Sequence, residues 1–267
     1  MQARSELSIG ESNTTAAHRE AVERVILEMR ERLAEPHSLD EMARIACLSP
    51  FHFDRVFHEI TGIPAVQFLY ALRIEAAKRL LLTTSLSVTD VCYEVGYGSL
   101  GTFTWRFTQL VGLSPRRLRQ LAAGLAVSSM DTVLEKAATM FKSSESSKIG
   151  VVSSKTFLAG PIFVGLFRTQ IPQGKPAGGT LLTEPGSYGT KWLPDGYYYV
   201  FAAAFAWSKD PLTYLFPHRE SLLVGTGTKQ AIARNGRVCS EVDVVLRPVE
   251  LVDPPILVAL PFLLTNL

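Results

Sequence analysis

The feature that most constrains this chain is an internal repeat in its first half. A shift of the sequence by fifty residues aligns SPFHFDRVFHEITG (49–62) with SLGTFTWRFTQLVG (99–112), so that two phenylalanines and a final glycine coincide. Upstream of these segments the better shift is forty-nine, which places an extra residue at Gly98 in the second copy. Repetition at a fixed spacing means that one supersecondary unit is used twice. Any fold for this chain has to accommodate both copies.

Each copy has the pattern of a short helix, a tight turn and a second helix. Ser38, with Glu41 three residues later, has the pattern of a capping box at the start of a helix. Ser49 and Pro50 then supply an N-cap and a proline in the first turn, where its missing N–H is not needed. A small residue in the first helix and inward phenylalanines in the second are what a helix-turn-helix crossing requires.

Two longer helices are predicted around these units. The first starts near Thr15, has one apolar stripe and is ended by Pro36. The second starts at Pro64 and connects the two copies. The stripe of the first consists of Val22, Ile26, Met29 and Leu33, and that of the second of Phe68, Leu72, Ala76 and Leu80. A connecting helix of roughly twenty residues spans about 30 Å. One turn of B-DNA is about 34 Å, so the two units could enter successive major grooves.

The distribution of charge agrees with a nucleic-acid partner, although the net charge of +2 is too small to indicate one. Residues 106–119 contain four arginines and no acidic residue. Helical bundles in general also have amphipathic helices and capping boxes. It is the pair of units in register, with a rigid spacer and local basic charge, that favours DNA binding.

Residues from about 20 to 120 resemble the DNA-binding domain of AraC/XylS-type transcription regulators. The segment SVTDVCYEVGYGSLGTFTWRFTQLVGLSPRRLR (87–119) carries the resemblance, with Val95-Gly96-Tyr97, Phe103, Phe107, Gly112, Ser114-Pro115 and Arg119 in place. The resemblance implies an all-α double helix-turn-helix domain over 15–123 that binds double-stranded DNA. Most relatives have this domain last, whereas here it comes first.

The resemblance, with the exposed positions of the pattern, gives candidate DNA contacts. Those for bases are Phe51, His52, Asp54, Arg55, Thr102, Thr104, Trp105 and Arg106. Those for phosphates are Arg73, Lys78, Arg79, Arg116, Arg117 and Arg119, each explained equally well as a solvated surface charge. Arg55 is the best candidate for a guanine contact. Gly101 cannot reach a base edge and Trp105 suits a thymine methyl, so the second helix is expected to contribute more to positioning.

The second half of the chain has the composition of strands and turns. Residues 124–149 are predicted to be a linker with a short helix over MDTVLEKAATMF, because SSESSK has nothing to bury. Residues 150–267 contain short β-rich runs separated by Gly, Pro and Asp turns, a pattern typical of an antiparallel sandwich or barrel, and we expect an all-β antiparallel sandwich. The order of its parts is similar to that of transthyretin-like or carboxypeptidase regulatory domains. The apolar run at 254–264 is expected to form one or two buried strands.

Aromatic residues are concentrated in this β-rich half. Alternation along a strand would send Tyr197, Tyr199 and Phe201 to one face and Tyr198 to the other. Core packing explains one face, and the remainder would form either a dimer contact or a cleft for a small-molecule effector. The candidates for effector binding are Trp192, Tyr198, Trp207 and Tyr214.

Other classes of function find little support. The β-rich half has no nucleophile elbow and no metal-binding histidine pair, so an enzyme is not expected, nor is a metal, nucleotide or redox cofactor. Three widely spaced cysteines and an N-terminus without an apolar run predict a cytoplasmic protein without membrane contact. The expected partners are DNA, a small-molecule effector, a second copy, and RNA polymerase if the protein activates transcription. The alternative is a small-molecule-binding β-sandwich whose helical part mediates protein contacts.

Overall fold

The computed structural model describes residues 2–125, 147–156, 158–210 and 212–259. The first of these ranges is helical throughout. Its helices are α1 (Gln2–Glu31), α2 (Leu39–Ile45), α3 (Pro50–Thr61), α4 (Ala65–Thr83), α5 (Val88–Glu94), α6 (Leu100–Val111) and α7 (Pro115–Leu125). The pairs α2/α3 and α5/α6 are the two copies of the repeat, with helices of 7 and 12 residues in each.

The turns of the two copies have the same backbone conformation. Each contains one residue with positive φ, Cys47 at 57° and Gly96 at 82°. The residue after it donates its amide to the first helix, from Leu48 to Ala43 at 3.0 Å and from Tyr97 to Cys92 at 3.0 Å. The extra residue of the second copy lies after this turn, between Glu94 and Leu100, which agrees with the placement at Gly98.

The helix caps follow the sequence pattern with one exception. Ser38 Oγ accepts the amide of Glu41 at 3.1 Å, and the corresponding Ser87 forms a complete capping box with Asp90. Ser49 stands at the N-cap of α3, but its side chain makes no capping hydrogen bond. The C-caps of α3 and α6 are glycines in the left-handed conformation, a conformation that costs glycine no steric energy.

Helix α1 is longer than the sequence predicts, and helix α4 is more buried. Helix α1 begins at Gln2, well before Thr15, and buries Val22, Ile26 and Met29 as expected. Helix α4, at 19 residues, is about 28 Å long. It packs against α1, α3, α5, α6 and α7, and it is buried on more than the predicted face.

The remaining described residues form mainly β-structure. The strands are β1 (Ser147–Ser154), β2 (Ile162–Phe167), β3 (Gly178–Leu182), β4 (Gly186–Thr190), β5 (Gly196–Phe205), β6 (Leu222–Thr226), β7 (Ala231–Arg234), β8 (Arg237–Val238) and β9 (Val244–Pro248). A short helix α8 (Leu212–Leu215) and a 3-10 turn (Arg219–Ser221) precede β6. The strands pair in the order β3-β2-β5-β6-β9-β1-β4, and β7 and β8 extend from β5.

This arrangement differs from the predicted antiparallel sandwich. Hydrogen bonding joins the strands in one continuous path, and its end strands β3 and β4 approach each other, so the sheet is nearly a closed barrel. One pair is parallel, with Val152 opposite Val244 between β1 and β9. The sequence reveals which residues alternate along a strand, whereas the pairing of strands some ninety residues apart is decided by how the sheet closes. The resemblance to transthyretin-like domains stays a prediction.

Alternation along β5 occurs as predicted and shows how the barrel uses its two faces. Tyr198, Val200 and other even-numbered residues point into the barrel core. Odd-numbered residues point outward, with Tyr197 61% exposed near the start of the strand. Farther along, Ala203 and Phe205 are buried again, because the outer face there packs against the helices.

The helices and the barrel therefore share a hydrophobic core. One cluster contains Phe103 and Phe107 of the second repeat and Leu118 of α7, together with Phe163 and Phe205 of the barrel. The final described segment, residues 249–259, is named the strap here because it crosses from β9 back to the helices. Its Val252 packs in the core of the first repeat and its Leu257 in the core of the second.

Two predictions concern the strap and the linker. The described part of the run at 254–264, residues 254–259, forms no strand, and its backbone instead meets side chains of the helices. The predicted linker and its short helix lie mostly outside the described residues, since 126–146 are not described.

Candidate nucleic-acid interface

Helix α3 presents two of its four predicted base-contacting residues openly. Phe51 is 84% exposed and Arg55 is also exposed, one turn farther along the same helix. His52 and Asp54 are half-buried. The His52 ring lies edge-on to His18 of α1, with 5.2 Å between the ring centroids. The free surface at the start of α3 is therefore an aromatic ring beside a guanidinium, a combination that suits base edges and thymine methyl groups.

Helix α6 presents a less basic surface. Trp105 is 62% exposed and Thr102 is exposed, while Thr104 is half-buried. The guanidinium carbon of Arg106 lies 3.5 Å from the ring centroid of Tyr70 on α4, a cation–π contact. Arg106 is thus held against the connecting helix, and its contact with DNA would require it to leave that ring.

Tyr70 is a residue that the sequence analysis missed. Its ring stacks on Tyr97 at 6.4 Å and lies beneath Arg106, so it links α4 to the turn and the helix of the second repeat. Burial raises the pKa of Tyr97 to about 12, so this phenol stays neutral. Two tyrosines at unrelated positions give no sequence signal for such a stack.

Arg73 is not placed to contact phosphate, contrary to the prediction. Its side chain is 8% exposed and donates to three backbone oxygens, those of Leu33 at 3.0 Å, Glu35 at 2.7 Å and Gly96 at 3.1 Å. These bonds join the segment after α1 to the turn of the second repeat. Burial lowers the pKa of this guanidinium, which is still charged at neutral pH. Its role is structural.

Lys78 is likewise removed from the phosphate candidates. It is fully enclosed, at 2% exposure, and its Nζ donates to the strap oxygens of Leu257 at 3.0 Å and Ile256 at 3.4 Å. Burial lowers its pKa to about 8. The sequence pattern placed this lysine on a free face of α4, but the strap covers that face.

The other phosphate candidates are more accessible. Arg116 and Arg117 are exposed in the first turn of α7. Arg79 is exposed, with its guanidinium 5.2 Å from the ring centroid of Phe216. Arg119 is half-buried and donates to the backbone oxygens of Leu81 and Leu86 at 3.1 and 2.8 Å. Arg116 and Arg117 are therefore the basic candidates with the greatest freedom to reach a backbone phosphate.

The four predicted effector-binding residues do not form a site together. Tyr198 and Tyr214 are buried and hydrogen-bonded, Tyr198 to the Pro194 oxygen at 2.6 Å and Tyr214 to the Ser208 amide at 2.8 Å. Trp192 and Trp207 are 70% and 47% exposed. None of the four lines the cavity of about 420 Å³ that lies between the helices and the barrel. The aromatic cluster in the sequence serves the core and surface of the barrel.

Two further observations concern the described part of the chain alone. It contains no group of three or more His, Cys, Asp or Glu side chains placed to hold a metal ion. None of its helices combines the length and apolarity needed to cross a membrane.

Comparison with known proteins identifies the repeat region. Residues 42–121 match the helix-turn-helix domain family. The bifunctional transcriptional activator/DNA repair enzyme AdaA of Bacillus subtilis is 33% identical over 88 residues, which are 33% of this chain and 42% of that protein. The MmsAB operon regulatory protein of Pseudomonas aeruginosa is 38% identical over 92 residues, 34% of this chain and 30% of that protein. The chain thus matches less than half the length of these relatives.

A similar solved structure is that of the DNA-binding domain of AdpA in complex with a target DNA. It is 30% identical, covers 39% of this chain and 93% of that one, and has a TM-score of 0.38. The family match coincides with helices α2 to α7, where the repeated caps and turns were found. Residues 42–121 of this chain are a helix-turn-helix domain, similar to those of AraC-type transcription regulators.

Proposed function

We propose that this protein is a sequence-specific transcription regulator that binds double-stranded DNA. Helices α3 and α6 are the recognition helices and enter successive major grooves on one side of the duplex. The β-barrel senses a small molecule or mediates association with a second copy. We assign no catalytic activity to the chain and place it in the cytoplasm.

The observation that carries the proposal is the equivalence of the two helix-turn-helix units. Both have the same turn, the same αL glycine cap and an exposed aromatic near the start of the second helix, Phe51 or Trp105. Helix α4, about 28 Å long, connects them and is packed tightly enough to act as a spacer. That length is close to the roughly 34 Å turn of B-DNA.

The relatives are consistent with this function. Their names are mostly those of transcription regulators, and each match covers about a third of this chain. The family match supports DNA binding by residues 42–121, and the exposed residues of α3 supply groups that can read base edges.

Selection of bound fragments from a random DNA pool tests the proposal. We expect an enriched motif with two elements about one helical turn apart, and an affinity that falls steeply as salt is raised. The alternative is that the helices mediate contacts with other proteins. It predicts neither an enriched motif nor a salt-dependent affinity for duplex DNA.

Arg55→Ala then tests which helix reads the sequence. We expect a loss of about 1 to 3 kcal/mol on the selected motif with nearly unchanged affinity for random DNA, because a bidentate base contact is lost. Arg44→Ala is a matched control, since Arg44 is an exposed arginine of the neighbouring helix α2 that was not predicted to contact DNA. An equal loss on both DNAs would remove Arg55 from the base-reading residues.

A further inference from the structure

The cavity between the helices and the barrel is built from both halves of the molecule. Its walls come from the end of α3, from α4, from the loop 168–177 between β2 and β3, from the outer face of the barrel and from the strap. Its volume of about 420 Å³ falls within the range of roughly 300 to 1,000 Å³ that is usual for small-molecule sites.

Most of the cavity wall is apolar. The barrel contributes aromatic rings and a valine, and the helix α3 and the strap each contribute an isoleucine. These residues are Phe163, Phe167, Phe201, Val224, Ile60 and Ile256. Such a wall binds the apolar body of a ligand by removing it from water.

Three cations also line the cavity. Arg247 is paired with Asp253, and the other two, Lys78 and Arg219, are partly stripped of water. In the described part of the chain Lys78 donates to backbone oxygens only, and Arg219 donates to the backbone oxygen of Glu250. Within the described residues, neither is within 4.0 Å of a carboxylate oxygen. Burial lowers the pKa of both groups. A desolvated cation without an opposite charge is energetically costly, so this wall favours an anion.

The acidic residues of the wall do not fill that role. The carboxylate of Glu75 is 3.5 Å from Arg30, and Asp253 accepts two hydrogen bonds of 2.7 Å from Arg247. Glu59 is exposed to solvent at the end of α3. Glu75 attracts both Lys78 and Arg219 at longer range, and Asp253 attracts Arg219 in the same way, but neither carboxylate is in contact with these cations. A carboxylate in direct contact with Lys78 and Arg219 therefore has to come from a bound molecule.

We propose that this cavity binds a small amphipathic organic anion, whose carboxylate is held by Lys78 and Arg219 and whose apolar body lies against the aromatic wall. The inference rests on the proposed function for its regulatory meaning, because it gives the sensing role a site and a ligand class. It also moves that role from the four predicted residues, Trp192, Tyr198, Trp207 and Tyr214, to the boundary between the two halves.

The position of the cavity connects an occupant to both recognition helices. Ile171, in the loop 168–177, packs against the core of the first repeat. In the same loop the amide of Gly174 donates to the Leu110 oxygen at the end of α6, at 2.8 Å. A ligand that presses on this loop and on α4 touches the parts that position α3 and α6. Binding of the anion is therefore expected to change affinity for DNA.

Calorimetric titration of the full chain tests the ligand class. Octanoate, decanoate and 4-phenylbutyrate are each compared with the alcohol of the same skeleton and with decylammonium. We expect at least one carboxylate to bind ten or more times tighter than its alcohol, and Lys78→Met to remove that preference. Lys155→Met, at an exposed lysine of the barrel, should leave it unchanged. Equal binding of acid and alcohol, tighter binding of the amine, or no binding of any acid would overturn the proposal.

A second variant tests the place of binding. Val224→Phe fills the cavity from the barrel side. We expect it to weaken binding of the carboxylate at least tenfold while circular dichroism reports an unchanged fold. Unchanged affinity in the folded variant would place the ligand elsewhere and overturn the site.

DNA binding separates the two proposals. If the protein selects a DNA motif but binds no carboxylate, the ligand site is refuted and the proposed function stands. If a carboxylate binds through Lys78 but no DNA motif is ever selected, the site stands and the proposed function is refuted.

Discussion

Gly96 in the turn of the second repeat offers a sharp test of how the two units are held together. Its φ of 82° is unfavourable for a residue with a side chain, and a Cβ there would lie 2.5 Å from the backbone oxygen of Ala34. That oxygen belongs to the segment after α1, so Gly96 also marks where the first helix meets the second repeat. Gly96→Ala should therefore strain the turn and this contact together.

The expected cost comes from two sources. A left-handed conformation costs a non-glycine residue about 1 to 2 kcal/mol. Forcing an atom into a tightly packed site adds about 1 to 3 kcal/mol. The sum is a loss of about 2 to 5 kcal/mol in the free energy of unfolding, which denaturant titration would report as a lower midpoint.

Two variants serve as controls for Gly96→Ala. Gly98→Ala is expected to change stability by less than about 1 kcal/mol, because a Cβ at this exposed residue meets nothing within 4 Å. Cys47→Gly, in the equivalent turn, relieves a φ of 57° but loosens the unfolded chain, so its net effect should stay within about 1 kcal/mol. If Gly96→Ala were no more destabilising than Gly98→Ala, the close contact with Ala34 would be refuted.

Three other predictions follow from the same structure. Arg73→Gln should lower the free energy of unfolding by about 2 to 4 kcal/mol, because its hydrogen bonds to backbone oxygens are lost, and should leave the salt dependence of DNA binding unchanged. Arg116→Gln should leave the free energy of unfolding unchanged and reduce the salt dependence of DNA binding. Denaturant titration and DNA binding at several salt concentrations compare the two variants. Ser87→Ala should lower the free energy of unfolding by about 1 kcal/mol, because it removes a capping box. Ser49→Ala should lower it much less, because that serine makes no capping hydrogen bond. Equal denaturant midpoints for the two variants would contradict the assigned caps. Between pH 8 and 10.5 the folded chain loses the proton of Lys78 while the unfolded chain keeps it. Over this range the free energy of unfolding should therefore rise by about 3 kcal/mol relative to that of Lys78→Met. If the free energies of unfolding of the two proteins changed in parallel with pH, the lysine would not be buried.

Much of the helical part could be predicted because its signals are local. The capping serines, the proline at the start of α3 and the glycines that end α3 and α6 act within one turn of the chain. Because the unit occurs twice, the same pattern of signals is found independently at two places in the chain. These signals place the helices and the turns, and they also identify Phe51 and Arg55 as exposed.

The failures concern contacts between distant segments. The stripe on α4 predicts one buried face, but the strap and the segment after α1 cover further faces and bury Lys78 and Arg73. Nothing in the sequence of either segment indicates which face of α4 it covers. The barrel shows the same limit, since alternation predicts the faces of β5 but not the parallel pairing of β1 with β9. Closure of a sheet depends on all its strands at once.

The shared core changes how the proposed spacing of α3 and α6 should be understood. If α4 alone set that spacing, the helical part would be a complete DNA reader and the barrel an appendage. Instead the strap packs Val252 into the core of the first repeat and Leu257 into that of the second. The loop 168–177 packs Ile171 against the core of the first repeat and donates the Gly174 amide to Leu110 of α6. Because well-packed cores shift between discrete arrangements and do not deform continuously, a change in the barrel would reposition the repeats together. The separation of α3 and α6 therefore depends on the helices, the loop 168–177 and the strap together, and the cavity is lined by residues of that loop, of α4 and of the strap.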